Sequence, residues 1–177
     1  MSLIGTYNKM VTLDEGVAQS WSQVENQYQR RVDLIPNLVN TVKGAANFEQ
    51  ETLTQVIEAR AKATDVQVNA NDAESIAKFQ QAQSGLSSAL SRLMVVVEKY
   101  PELRATQQFS DLSVSLEGTE NRISVERKNF NNVATGYNTF IRKFPNSMMA
   151  GLFGFDKKPL FEAVEGAEQP PVVDFES

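Results

Sequence analysis

The sequence predicts an all-α fold: an antiparallel up-and-down four-helix bundle with long first and fourth helices. Three observations predict it. Apolar residues recur at alternating three- and four-residue steps over about residues 7–43 and 106–143, the spacing of a coiled-coil-like seam. The polar run DVQVNANDAE at 65–74, together with Pro101 and Pro145, punctuates the helical pattern. The connections are short, which favours antiparallel neighbours. The two long helices are nearly matched, and each would span roughly 55 Å at 1.5 Å per residue.

The first helix is organised around WSQVENQYQRRVDLIPNLVNTVKG, residues 21–44. Trp21, Val24, Tyr28, Arg31, Ile35, Leu38 and Val42 share one face, and the same seam extends back through Val17, Asp14, Met10 and Tyr7. Pro36 has no amide hydrogen and disfavours α geometry at Ile35, so a kink or a restart is expected there. Asp33 is placed to cap a restarted helix. Lys43 and Gly44 form a helix stop, with a cation in the last turn. A bent helix running on through Gly44 is the rival, since an internal glycine costs only about 1 kcal/mol; the break is the favoured reading.

Asn47 and Gln50 suggest a capping box for a second helix reaching about Thr64. Asn71 or Asp72 caps the third, from about Ala73 to Lys99, whose seam is Ile76, Phe79, Gln83, Leu86, Leu90, Leu93, Val97 and Tyr100. The fourth carries Phe109, Leu112, Leu116, Ile123, Phe130, Val133, Tyr137, Phe140 and Phe144, and Pro145 ends it. A helical turn at 147–152 is expected after it. Residues 1–155 thus form the bundle, and residues 156–177 an acidic, largely extended tail. The tail holds six acids and two bases, or −4 of the net −5. The body is nearly neutral, with no basic face for nucleic acid.

The runs YNKMVTLDEGVAQSWSQVENQYQRRVDLIPNLVNTVKG, TENRISVERKNFNNVATGYNTFIRKFPN and AGLFGFDKKPLFEA resemble three long, gap-free signatures of the LemA family, and together cover nearly the whole chain. The resemblance implies a helical protein of the bacterial cell membrane with a single pass and no established biochemical activity. That family carries its hydrophobic span just before the YN motif. Here Tyr7 and Asn8 stand close to the first residue, so the span is expected to have been removed. The sequence assigns neither the side of the membrane that holds the bundle nor the oligomeric state.

The chemistry available is narrow. The chain has no cysteine and no histidine. The Glu-x-x-His pairs of di-metal bundles cannot be built, and no serine has an imidazole base. EGTENR at 117–122 offers two acids inside a helical pattern, unlike a Ca²⁺ loop. GLFGF lacks the Gly-Lys-Ser/Thr ending of a phosphate loop. The expectation is no enzyme, no catalytic residue, no metal and no cofactor. Two features remain. Arg31 and Glu120 interrupt the apolar seams, either as an ion pair that fixes register or as part of a polar ligand pocket. Aligning Tyr7 with Phe144 makes paired numbers sum to about 151, so that Trp21 meets Phe130, Tyr28 meets Ile123 and Arg31 meets Glu120. Met148, Met149, Phe153 and Phe155 lie outside the periodic helices; they either fold back over the bundle's end or contact a bilayer or protein partner. The function expected is a membrane-proximal helical interaction or scaffold protein. The alternative is a ligand-binding or sensory bundle with a polar pocket near Arg31.

Overall fold

The first helix, α1, spans Leu3–Lys43 and runs through Pro36 without a break. The computed structural model describes residues 3–162. It is all-helical among the described residues: α2 is Gln50–Asp65, α3 Ala73–Val97, α4 Pro101–Arg104, α5 Gln107–Arg142 and α6 Asn146–Phe153. The periodic stretches give the four longer helices. The short α4 and α6 add to the expected four, α4 beginning on Pro101, where a missing amide costs nothing.

The expected restart at Asp33 does not occur. Asp33 lies inside α1 and accepts a hydrogen bond from Gln29 Nε2 at 2.8 Å, so it caps nothing. The reason is visible one turn before the proline. Pro36 has no N–H to give Val32 O, its i−4 carbonyl. Arg60 on α2 supplies the substitute: its Nε donates to Val32 O at 3.2 Å. A guanidinium from another helix thus satisfies the acceptor that the proline leaves open.

α1 ends at Lys43, and the break at Gly44 separates it from α2. The Asn47–Gln50 capping box is not formed. Glu49 is the N-cap of α2 and makes no side-chain cap bond, while Asn47 adopts a left-handed conformation at φ 61°. Asparagine tolerates that region better than most residues. Its carbonyl accepts from Tyr100 Oη at 3.0 Å, and the neighbouring Phe48 ring packs on Tyr100 with centroids 4.8 Å apart. The other starts are local. Asp72 accepts from the Glu74 amide at 3.1 Å to cap α3, and Thr106 accepts from the Phe109 amide at 3.3 Å to cap α5. Gly154, at φ 73°, ends α6, and the Phe155 amide returns to Ala150 O at 2.9 Å.

α1 packs along α5, and α2 along α3. Trp21 meets Phe130 with ring centroids 5.4 Å apart, and Arg31 meets Glu120. Numbers therefore rise along one helix as they fall along the other. The register departs from the expected one at the end. Tyr7 does not meet Phe144, which is 82% exposed; it packs edge-on against Phe153 and Phe155, with centroids 5.0 and 5.7 Å away. α5 stops at Arg142, so Phe144 leaves the helical face that its spacing implied. Tyr28 packs in the same core cluster as Ile123 and lies edge-on against Phe79 of α3, with centroids 4.9 Å apart.

The core has two parts. One gathers Val32 to Val42 of α1 with Leu53 and Val56 of α2, Leu86 to Val97 of α3, and Phe109 and Leu116 of α5. The other gathers Met10 to Tyr28 of α1 with Ile76 and Phe79 of α3, Ile123 to Ile141 of α5, and Phe161. The chain after α6 returns along the bundle. Residues 156–162 are extended, but lie against α5 and α3, and Phe161 is 4% exposed. The remainder of the expected tail, 163–177, lies outside the described residues.

The Pro36–Arg60 relation is testable by a double-mutant cycle in urea. Arg60→Ala leaves the Val32 carbonyl without its donor and is expected to destabilise by about 1–3 kcal/mol. In a Pro36→Ala background, where residue 36 again offers an amide, the same change should cost clearly less. Equal costs in the two backgrounds would refute the substitution.

Candidate functional site

Arg31 is 1% exposed and stands at the boundary between the two core clusters. Helical spacing turns it inward between Tyr28 and Ile35, so its charge has to be met by the facing helices. α3 and α5 do so. Nη1 donates to Ser87 Oγ at 2.7 Å and lies 2.6 Å from Glu120 Oε1. Nη2 donates to the Gln83 backbone carbonyl at 3.1 Å and to its side-chain Oε1. The guanidinium also stands 5.2 Å from the Tyr28 ring centre. Gln83 is itself buried, whereas Glu120 is 42% exposed at its side chain. The layer is therefore dry at Arg31 and Gln83 and open to water at Glu120.

Polar clefts flank the layer. One of about 290 Å³ is lined by Gln80, Gln83, Ser87, Glu120 and Arg127, among others. Another of about 340 Å³ lies toward Glu25, Gln29 and Thr64. Arg31 reaches neither as a free cation, since both terminal nitrogens are bonded within the protein; only Nε is without a partner. The arrangement holds charge in a fixed place. Among the described residues there is no group of three or more His, Cys, Asp or Glu side chains arranged to hold a metal ion.

The second candidate group lies at the N-terminal end of α1. Met148 and Leu152 of α6 are 69% and 78% exposed, and Phe153 is 53% exposed. Met149 and Phe155 are partly buried against the second core cluster. The structure brings Phe153 and Phe155 to Tyr7 and leaves Met148 projecting. Leu3 and Ile4, one turn before Tyr7, are also strongly exposed. Among the described residues, no helix is long and apolar enough to cross a membrane.

A third arrangement was not foreseen. Asn138 is buried and pairs twice with the backbone of Lys158: Nδ2 donates to the carbonyl at 2.8 Å, and the amide donates to Oδ1 at 2.8 Å. Asn131 does the same with Phe161, at 3.0 and 2.9 Å. Asn129 and Asn132, on the same helix, are exposed. The sequence signal was the seven-residue step from 131 to 138, which puts both amides on one helix face. Tyr137, beside them, is fully buried with its hydroxyl unpartnered. Burial, then the nearby Asp14 and Asp156 carboxylates, pushes that phenol up to about 12. Burial also raises Tyr28, although Arg127 and Arg31 pull it the other way.

Three outcomes follow from these environments. Glu120→Ala leaves a buried guanidinium with only neutral partners. Because Glu120 is half in water, the expected loss in a denaturant titration lies between the about 1 kcal/mol of a surface pair and the about 3–5 kcal/mol of a buried one. Replacing Arg31 and Glu120 together by Met and Leu should cost less than the sum of the single changes. For Tyr137, the folded pKa lies above the unfolded value of about 10. Its contribution to stability is therefore complete below pH about 10 and is lost as pH rises toward 12. Tyr137→Phe should abolish the latest phenolate absorbance step, flatten the fall in stability over that interval, and cost little at neutral pH, since the hydroxyl has no partner to lose.

The comparisons with known proteins agree on one relationship. The model of the LemA family matches residues 20–175. The magnetosome protein MamQ 2 of Paramagnetospirillum magneticum is 26% identical over 188 residues, covering 96% of this chain and 69% of the relative. The magnetosome protein MamQ of Magnetospirillum gryphiswaldense is similar to the same extent. Protein LemA of Metamycoplasma hominis is 23% identical over 162 residues, covering 92% of this chain and 71% of the relative. With a family match over most of its length, the chain belongs to the LemA family.

Proposed function

We propose that this protein is a non-enzymatic, membrane-proximal scaffold: an antiparallel up-and-down bundle of four main helices, tethered to the bacterial cell membrane by a span preceding α1. The observation that carries the reading is the gathering of exposed apolar side chains at one end. Leu3, Ile4, Phe144, Met148, Leu152 and Phe153 come from the start of α1, the α5–α6 connection and α6. Tyr7 against Phe153 ties these segments together. A tether before α1 would deliver this end to the bilayer surface, where Met, Leu and Phe insert shallowly. Membership of the LemA family supports membrane attachment. The second reading, a ligand pocket at Arg31, is weakened by the internal bonding of both terminal nitrogens of that residue.

A cysteine-free sequence makes the test clean. Phe153→Cys carries a single fluorophore in the chain fused behind an N-terminal span, reconstituted in phosphatidylcholine–phosphatidylglycerol vesicles. Quenchers placed at graded depths along the acyl chains should quench it, most strongly near the headgroups. A label on Val95, exposed on α3, should not respond. Equal insensitivity at 153 and 95 would discard the bilayer contact.

A further inference from the structure

The extended segment Lys158–Glu162 is held as a ligand is held. Three side-chain amides grip its backbone, each as donor and acceptor together: Asn138 on Lys158, Asn131 on Phe161, and Gln80 of α3 on Glu162 at 3.0 and 3.3 Å. The two asparagines are seven residues apart, or about 10.5 Å along a helix. Lys158 and Phe161 are three residues apart, or about 10 Å along an extended chain. The amide spacing on α5 thus matches the repeat of a strand, and supplies the paired bonds that a neighbouring strand would. Pro159 falls between the gripped positions, where no amide is called on.

Two side chains give the segment its identity. Phe161 stacks on Trp21 with centroids 5.5 Å apart and meets Phe130 edge-on at 5.5 Å, and the Arg127 guanidinium covers it at 4.9 Å. Lys158 Nζ lies 2.7 Å from Asp14 Oδ1 of α1 and donates to Asn71 Oδ1 at 2.8 Å. The groove between α1, α3 and α5 reads an extended backbone carrying Lys-x-x-Phe. Its own Lys-Pro-Leu-Phe reaches it through Gly154 and the exposed Asp156 and Lys157.

We infer that this groove is a peptide-binding site for an extended Lys-x-x-Phe segment, and that copies of the chain exchange the segment, each filling its partner's groove. Every bond described above can be made by the same residues of a second copy, so exchange loses no contact. The links at 155–157 decide between self-filling and exchange. Exchange of an identical element between protomers is a low-cost route to dimers, while a link this short gives self-filling a high effective concentration that favours it in dilute solution. The inference stands apart from the membrane reading, since it rests on the strap and not on the apolar end.

Charge reversal tests it. In Lys158→Glu, the segment meets Asp14 with like charge; in Asp14→Lys, the groove meets Lys158 with like charge. Each variant alone should sediment as a monomer. Mixed in equal amounts at several hundred micromolar, they should form a dimer of twice the mass. Exchange brings the two introduced charges, now of opposite sign, together in one groove and restores the native pair of Lys158 with Asp14 in the other. Adding Asn138→Asp to both should abolish it. A mixture that stays monomeric overturns the exchange. If either variant loses its helical circular dichroism, Phe161→Ala replaces the pair, titrated with the peptide of residues 156–162. The sole tryptophan, Trp21, should shift in emission as the peptide's phenylalanine stacks on it, and a peptide lacking that phenylalanine should leave it unchanged. No shift at millimolar peptide overturns the inference.

Discussion

A guanidinium removed from water must find partners, and the middle of this bundle is arranged around that constraint. Arg31 takes them from two helices: Gln83 and Ser87 on α3, and Glu120 on α5. Above it the core is one apolar cluster, and below it another. Apolar contacts alone tolerate a helix sliding by a turn, because one leucine replaces another. A buried cation does not, since a slip of about 5.4 Å would strand it. The polar layer therefore fixes the alignment of α1 against α5, and Trp21 on Phe130 follows ten residues away. A residue that contributes little net burial energy sets where the rest of the burial happens.

The same logic of satisfied acceptors explains why α1 can be so long. A proline in mid-helix leaves a carbonyl without its donor, and burial makes that costly. Val32 is buried, and the donor arrives from Arg60 of α2. The link makes the continuity of α1 depend on the position of α2. It also ties α2 to the central pair through a specific bond as well as through packing.

Side-chain amides perform a third version of the task. An extended segment laid over helices has unpaired backbone groups, and its burial would be unfavourable without partners. Asn131, Asn138 and Gln80 provide both donor and acceptor at each gripped residue. This lets Phe161 enter the core beside Trp21 and complete the lower cluster. The apolar end formed by α6 and the start of α1 lies outside that closure, with Met148 and Leu152 projecting from it. The bundle thus separates a sealed flank from an end that exposes apolar side chains.

What the sequence determined by itself was local or complementary. Apolar spacing marked the four longer helices, the Asn/Asp-rich run offered Asn71 or Asp72 as the cap of α3, of which the structure uses Asp72, and Gly44 marked the break after α1. The register that brings Trp21 to Phe130 and Arg31 to Glu120 was legible because aromatic and charged residues fell opposite one another in a single alignment. Only the tertiary structure decided the rest. Asp33 stays inside α1 because Arg60, far along the chain, supplies what Pro36 lacks. Asn47 takes a left-handed turn where Tyr100 meets its carbonyl. Tyr7 meets Phe153 because α5 stops before Phe144. Asn131 and Asn138 look like surface asparagines until a segment twenty to thirty residues later lies across them. In each case the deciding partner is distant in sequence, and an unsatisfied polar group does not announce in its own neighbourhood which remote atom will satisfy it.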